Sequence, residues 1–323
     1  MAFDPETIDV RPDERLDLER LEPWLRARLE GASGPLAVRQ FGGGHANLTY
    51  LLAFGATEYV LRRPPHGTIA PSAHDMAREH RVLARLWRAY PLAPRSFVHC
   101  ADMSILGAEF HVLERRLGVV VREANADRLL ADPAACGRVG AMIVDILADL
   151  HKVAPATVGL ADLGRPEGFL ERQLEGWERR WRAANDDAVP ELGPLIAWLG
   201  ANRPANPVHA LVHNDFKLDN VLVAADNPGR ASAVLDWDMC TQGDPLADLG
   251  TLLNYWNERD DPEGWGTATA MPSDRLGFPT RRAAVERYLA RTGFEGAGVD
   301  WYWCFATLRT ATNGPQPTPI RLG

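Results

Sequence analysis

Between Leu211 and Val223 the chain reads L-V-H-N-D-F-K-L-D-N-V-L-V, a polar cluster bracketed by two apolar stretches. Leu211-Val212 and Val221-Leu222-Val223 have the pattern of short buried strands, which leaves His213, Asp215, Lys217, Asp219 and Asn220 on the loop that joins them. A loop fixed between buried strands is a rigid mount for chemistry. A second stretch, A-V-L-D-W-D from Ala233 to Asp238, is an apolar strand that ends in carboxylates, and G-D-P-L-A-D follows from Gly243 to Asp248. These residue types suit phosphoryl transfer. That reaction asks a protein to hold phosphates, place magnesium and align an acceptor hydroxyl in line. Magnesium is a hard cation that takes oxygen ligands, so the side-chain carbonyl of Asn220 and the carboxylate of Asp236 suit it. Asp215 can accept a hydroxyl proton or orient the hydroxyl, and Lys217, two residues on, can reach a γ-phosphate.

Each of these residues also has a plainer reading. A lone loop aspartate is more often a turn or cap residue, and Asp219 is read that way. Asp238 suits either a second magnesium or a structural hydrogen bond, and Asp244, Pro245 and Asp248 are read as shaping a loop and capping a helix. His209 and His213 have a spacing that on a helix makes a metal pair. Here the intervening residues look like strand, which sets them about 13 Å apart at about 3.3 Å per residue, too far for one ion. His213 is therefore read as a brace for the loop. Trp177, Trp181, Trp198 and Trp256 are read as core or groove lining that can also wall an apolar acceptor site.

The elements that must position this chemistry fall into two groups. Leu18, Leu21, Leu25 and Leu29 have helical spacing, and Gly31 to Pro35 ends that helix. L-A-V-R-Q-F, then G-G-G-H-A-N, then L-T-Y-L-L-A-F reads as a hairpin with a glycine-rich turn, and E-Y-V-L-R-R as a third strand stopped by Pro64-Pro65. Pro71 to His74 opens a helix whose apolar stripe is Met76, Leu83, Leu86 and Tyr90. Glu79 falls on that stripe, where a carboxylate needs a cationic partner or an open edge. Ser104 to Glu114 reads as one or two further strands. Beyond Glu114 helical periods dominate, at Val139 to Leu150, Phe169 to Trp181, Leu192 to Leu199, Pro245 to Trp256 and Arg281 to Arg291, the last with Thr280 as N-cap and Gly293 as C-cap. The expectation is an α+β protein with a small antiparallel-sheet lobe over residues 1–115 and a larger helical lobe over residues 116–323.

Composition narrows the class. The chain has 323 residues, 46% hydrophobic and 24% charged, which suits one large domain or two lobes. A net charge of -8 with no basic run argues against a nucleic-acid partner. The four cysteines are scattered without a C-x-x-C, so neither a zinc site nor a disulfide framework is expected, and a reduced cytoplasmic setting is. The acidic N-terminus lacks the apolar core of a signal peptide, and no apolar run approaches a membrane span. Nothing in the pattern sets an oligomeric state.

H-N-D-F-K-L-D-N followed by L-D-W-D and G-D-P-L-A-D-L resembles the kinase-like phosphotransferases, the family of aminoglycoside and choline kinases. The resemblance implies a two-lobed protein-kinase-like fold that uses ATP and Mg2+ to phosphorylate a hydroxyl of a small molecule. It puts Asp215 in the catalytic position, Lys217 at the γ-phosphate, Asn220 and Asp236 in the metal positions, and Asp248 as the helix aspartate that braces the catalytic loop. It makes F-G-G-G-H-A-N-L-T-Y the loop over the phosphates, with Gly43 and Gly44 permitting close approach of backbone N–H groups. Arg62 stands where kinases carry the third-strand lysine, a departure, because the planar fork of arginine is not equivalent to an ammonium. Glu79 takes the helix position that pairs with that cation, and main-chain groups of Glu114 and Arg116 would meet adenine. A triple glycine can also be a plain hairpin turn, and Arg62 with Glu79 an ordinary surface pair.

The similarity runs from about Leu36 to Trp256. L-R-R-P-P, P-S-A-H-D-M-x-R-E and L-D-W-D resemble the branch related to the kinase domain attached to some acyl-CoA dehydrogenases. Members of the family commonly continue with helix after a segment like W-Y-W-C-F, where this chain has the proline-bearing N-G-P-Q-P-T-P-I-R-L-G. For the acceptor, the family implies aminoglycosides, which need acidic lining such as Asp260, Asp261 and Glu263. The branch implies a hydroxyacyl or other lipid-like alcohol, which the tryptophan-rich helices suit. Two other readings use the same residues: a nucleotide-binding protein without catalysis, and a metal-dependent hydrolase. The second lacks a histidine-rich ligand set and leaves the glycine loop without a purpose.

Overall fold

The computed structural model describes residues 6–42, 47–65, 75–184, 192–205, 208–262 and 271–312. Gly43 and Gly44, the Pro71 to His74 helix opening, Glu263 and the proline-bearing tail lie outside the described residues. The chain divides into two compact units. The first holds residues 1–117 and 233–239, the second 118–232 and 240–323. Asp236 therefore belongs to the first unit although it lies far along the chain.

The first unit is a six-stranded antiparallel sheet in the order β1-β2-β3-β4-β6-β5. Its strands are β1 (Thr7–Ile8), β2 (Leu36–Phe41), β3 (Leu48–Phe54), β4 (Thr57–Arg63), β5 (Ser96–Cys100) and β6 (Phe110–Glu114). β3 and β4 meet in a tight hairpin in which Gly55 has φ +61°, the backbone state that such turns need and that glycine adopts without strain. Strand alternation gives the sheet two faces. Leu48, Tyr50, Leu52, Phe54, Tyr59, Leu61, Phe110 and Val112 form one core with Leu21, Leu25 and Leu29, which lie in and just after helix α1 (Leu18–Arg26). Arg62 and His111 alternate onto the other face, the side taken by α2 (Met76–Leu86). The Asp75 carboxylate caps α2 by accepting from the Arg78 N–H at 2.9 Å.

One strand expectation needs correction. Ser104 to Leu106 is not strand but part of a single helical turn, α3 (Met103–Leu106). Asp102 caps its start at the Ser104 N–H, and left-handed Gly107 ends it before β6 begins. β5, which sequence periodicity did not single out, pairs with β6 at the sheet edge.

The second unit is mainly helical, with α4 (Glu123–Leu129), α5 (Pro133–His151), α6 (Phe169–Ala184), α7 (Gly193–Ala201), α8 (Leu246–Tyr255), α9 (Arg281–Thr292) and α10 (Val299–Thr312). Two small antiparallel sheets sit among the helices. β7 (Val119–Val120), β9 (Val221–Ala224) and β10 (Asn227–Val234) form one, β8 (Ala210–Val212) and β11 (Thr241–Gly243) the other. β10 carries the chain out of this unit toward 233–239. α8 and α10 pack closely enough that a Cβ on Gly250 would lie 2.5 Å from the Tyr302 backbone, so only glycine fits there. Thr280 caps α9 through the Ala283 N–H, and Gly293 ends it with φ +73°. Among the described residues no helix is long and apolar enough to cross a membrane.

Candidate active site

Arg62 and His111 are register partners on neighbouring strands, so their side chains stand side by side under α2. Glu79 points down between them and is fully buried. Arg62 Nη1 lies 2.9 Å from Glu79 Oε1, and Nη2 lies 2.8 Å from Asp236 Oδ1. His111 Nε2 is 3.2 Å from the other oxygen of Glu79, and the Trp237 backbone N–H also reaches this carboxylate. Burial alone pushes the Glu79 carboxyl up. Arg62 and then His111 overturn that and hold it at about 2. For Arg62 burial works against the charge, and Glu79 and Asp236 reverse it, raising its pKa. Asp236 sits at φ +67° in L-D-W-D, a conformation uncommon outside glycine and tolerated best by Asp and Asn.

The other predicted residues of this unit are placed as follows. The Glu114 N–H donates to the Arg95 carbonyl at 2.8 Å, and its carboxylate pairs with Arg116 at 3.0 Å. Among the described residues the Arg116 backbone N–H has no hydrogen-bond partner. Asn47 lies three residues after Gly44 in the sequence. It is buried, and among the described residues neither its amide nitrogen nor its oxygen has a partner.

In the second unit the catalytic-loop segment is organised on Asp248, which is fully buried in the first turn of α8. Its oxygens accept from the His213 N–H at 2.6 Å and the Asn214 N–H at 2.7 Å. His151 Nε2 lies 3.2 Å from the same carboxylate, and the Tyr288 hydroxyl closes on His151 Nδ1 at 2.6 Å. Burial raises the cost of the charge, and His151 and His213 more than offset it, so the Asp248 pKa is lowered. Asp244 beside it accepts from the Leu246 N–H at 3.0 Å and from the Tyr302 hydroxyl at 2.5 Å.

Asp215, Lys217 and Asn220 come together on this support. Lys217 Nζ lies 2.9 Å from Asp215 Oδ2 and 5.1 Å from the centre of the Tyr255 ring. Burial works against the ammonium, but Asp215 and Tyr255 keep its pKa above the ordinary value. Asn220 Nδ2 donates to the Asp215 carbonyl at 2.8 Å and to its carboxylate at 3.1 Å. The loop backbone is strained at Asn214, with φ +66°. Half-buried Arg309 of α10 holds that residue, donating to the Asn214 carbonyl and, at 3.2 Å, to Thr251 Oγ1, with its guanidinium 5.5 Å from the Trp177 ring centre.

Asn220 spends only its nitrogen on protein partners, which leaves its carbonyl oxygen, the atom a hard cation takes, unengaged among the described residues. Asp236 spends Oδ1 on Arg62 and keeps Oδ2. Among the described residues Asn47 offers a buried side-chain amide whose nitrogen and oxygen are unpaired. These residues fit magnesium and a nucleotide. No cluster of three or more histidine, cysteine or carboxylate ligands occurs among the described residues.

Sequence reasoning did not single out His111, His151, Tyr288, Asn47 as a buried donor, or Arg309. For Arg309 a signal existed: it is a lone cation in the otherwise apolar and hydroxylic run W-Y-W-C-F-A-T-L-R-T.

The chain was compared with known proteins. Residues 37–292 match the model of the phosphotransferase enzyme family. Acyl-CoA dehydrogenase family member 11 of Gallus gallus is 36% identical over 263 residues, 79% of this chain and 33% of that protein. Its Rattus norvegicus counterpart is 30% identical over 308 residues, 93% of this chain and 39% of that protein. The chain thus spans little more than a third of the length of these relatives. A crystal structure of a Ralstonia eutropha protein of aminoglycoside phosphotransferase type superposes with a TM-score of 0.77 at 29% identity, covering 91% of this chain and 86% of that one. The choline kinase of Cryptosporidium parvum shares the fold at a TM-score of 0.56 and 12% identity, covering 92% of this chain and 88% of that one. The α+β kinase-like fold expected from the motifs is the fold observed, and the chain belongs to the phosphotransferase enzyme family.

Proposed function

We propose that this chain transfers the γ-phosphate of ATP, with Mg2+, to a hydroxyl of a small molecule. The observation that carries the reading is the set Asp215, Lys217 and Asn220. A carboxylate is held from two sides by a lysine and an amide, and the amide keeps its oxygen free. In this reading Asp215 accepts the acceptor's hydroxyl proton or orients the hydroxyl for in-line attack, and Lys217 neutralises phosphate charge. Asn220 and Asp236 are the magnesium ligands. The bound ion supplies charge neutralisation across the phosphates. Arg62, positioned by Glu79, adds phosphate stabilisation. Gly43, Gly44 and Asn47 cradle the phosphates, and the Arg116 N–H with the Glu114 carbonyl meets adenine. Nucleotide binding is assigned to residues 1–115, and the catalytic loop, metal segment and acceptor site to 116–323, in a cytoplasmic setting.

For the acceptor, a hydroxyacyl or other lipid-like alcohol is favoured over an aminoglycoside. Polycation recognition would draw on Asp261, but Arg281 takes that carboxylate with two nitrogens and also pairs with Glu258 at 3.0 Å. The likeness to acyl-CoA dehydrogenase family members supports the same preference. An inactive nucleotide-binding protein is the less economical reading, because Asp215, Asn220 and Asp236 are all kept.

Calorimetric titration of ATP with and without magnesium tests the nucleotide site. Magnesium-dependent binding by the wild type that Asp236→Ala abolishes is the expected result, and a wild type that binds no ATP overturns the reading. Asp215→Ala should lower turnover by about 10²–10⁴-fold while ATP binding persists. ADP release that depends on an added hydroxyl compound separates a kinase from a hydrolase.

A further inference from the structure

An ionised carboxylate only accepts hydrogen bonds, so the His111 nitrogen 3.2 Å from Glu79 Oε2 must carry a proton. The other ring nitrogen of His111 faces Ser96 Oγ at 3.2 Å, and Ser96 Oγ lies 2.8 Å from His80 Nδ1. The His80 ring stacks on that of His99 at 5.6 Å, and His99 reaches Glu109 at 3.2 Å. Arg62, His111 and His99 are successive register partners across β4, β6 and β5, so one row of side chains leads from the sheet edge to the Arg62 guanidinium.

Arginine and a carboxylate prefer a fork in which two N–H groups meet two oxygens. Glu79 does not give Arg62 both oxygens. One faces Arg62 Nη1 and the other faces His111. The second nitrogen of Arg62, Nη2, is thereby left for Asp236 Oδ1.

We propose that His111, donating through its Nε2–H to Glu79, is a positioning residue that withholds one Glu79 oxygen from Arg62 and so turns Arg62 Nη2 onto Asp236. The bridge holds Asp236 in its left-handed backbone state through Oδ1, leaving Oδ2 off Arg62. This rests on Asp236 being the metal ligand of the proposed function only for its catalytic consequence. The positioning itself does not depend on that reading.

Nitrogen-15 NMR of the full chain tests the positioning directly. His111 should show a protonated Nε2, and the Arg62 guanidinium should show distinct, slowly exchanging Nη signals. His111→Leu should change the Arg62 signals, as the guanidinium turns to a symmetric fork on Glu79. His111→Gln, which keeps a donor at the same reach, should retain them. Affinity for Mg-ATP should fall roughly tenfold in His111→Leu, the loss of one charge-assisted hydrogen bond, and recover in His111→Gln. A bare His111 Nε2, or Arg62 signals identical in wild type and both variants, would overturn the proposal. If the wild type binds no Mg-ATP, the proposed function fails, and the Arg62 signals alone still decide the positioning.

Discussion

Both units bury a carboxylate against a histidine backed by a hydroxyl. In the first unit the row is Glu79, His111 and Ser96, in the second Asp248, His151 and Tyr288. Both carboxylates are fully buried and both have lowered pKa values, so each is ionised where desolvation alone would neutralise it. The difference lies in what the rest of the carboxylate holds. Glu79 holds one backbone N–H, that of Trp237, and a side chain, the long and rotatable Arg62. Asp248 holds two consecutive backbone N–H groups of the catalytic-loop segment, one of them from Asn214, the residue in a strained conformation. A side-chain partner can be shared or exchanged, as Arg62 is shared with Asp236. A backbone partner cannot move without moving the loop. The same three-residue device thus serves an adjustable contact in one unit and a fixed one in the other.

Asp248→Ala should show the largest effect. It removes the acceptor of two backbone donors and the carboxylate facing a histidine nitrogen, at a cost of about 3–5 kcal/mol. Asp248→Asn, which keeps one acceptor oxygen, should cost less. Chemical denaturation at constant denaturant sensitivity measures both. A cost for Asp248→Ala below that of Asp248→Asn would break the view that loop donors are what Asp248 satisfies.

Glu79→Gln should cost less than Asp248→Ala, about 1–3 kcal/mol, because Arg62 keeps Asp236 as a second anion. Equal losses in the same denaturation experiment would mean that the shared Arg62 contact gives no relief. The two buried carboxylates would then be equivalent supports.

The two carboxylates also differ in how readable they were. Glu79 stands out because it interrupts an apolar helical stripe, and Asp248 because it closes a motif. Their histidines do not stand out. In E-F-H-V-L-E the alternation places His111 on a face of β6, but only the register of three strands shows that Arg62 and His99 flank it, and register is a long-range property. His151 ends a long apolar helix, far in sequence from Asp248 and Tyr288. The φ values of Asn214 and Asp236 belong to residue types that tolerate them, yet many other Asn and Asp residues do not adopt them. Hence the polar loop segments, the hairpin and the helices were legible from local pattern. The α3 turn, the β5 pairing and the buried supports of both loops were set by packing that no local window contains.

The smallest expected effect is one of pH, and it should fall on one unit. Burial, followed by His111, His99 and Arg85, pushes the His80 pKa from 6.5 down to about 4. The folded state therefore refuses a proton that the unfolded chain accepts between those values. Stability contributed by neutral His80 is complete above about pH 6.5 and is lost progressively as pH falls toward 4. Asp248 has the opposite chemistry. Its folded pKa lies below the ordinary 3.8, so its contribution persists until the pH drops below the ordinary carboxylate range. Hydrogen exchange at about pH 7 and about pH 5, corrected for intrinsic rates, should show β4 and β6 losing protection relative to α5 and α8. His80→Gln, which cannot take up the proton, should remove the difference. Equal losses in the two units, or a difference that survives in His80→Gln, would place the acid sensitivity somewhere other than the histidine row.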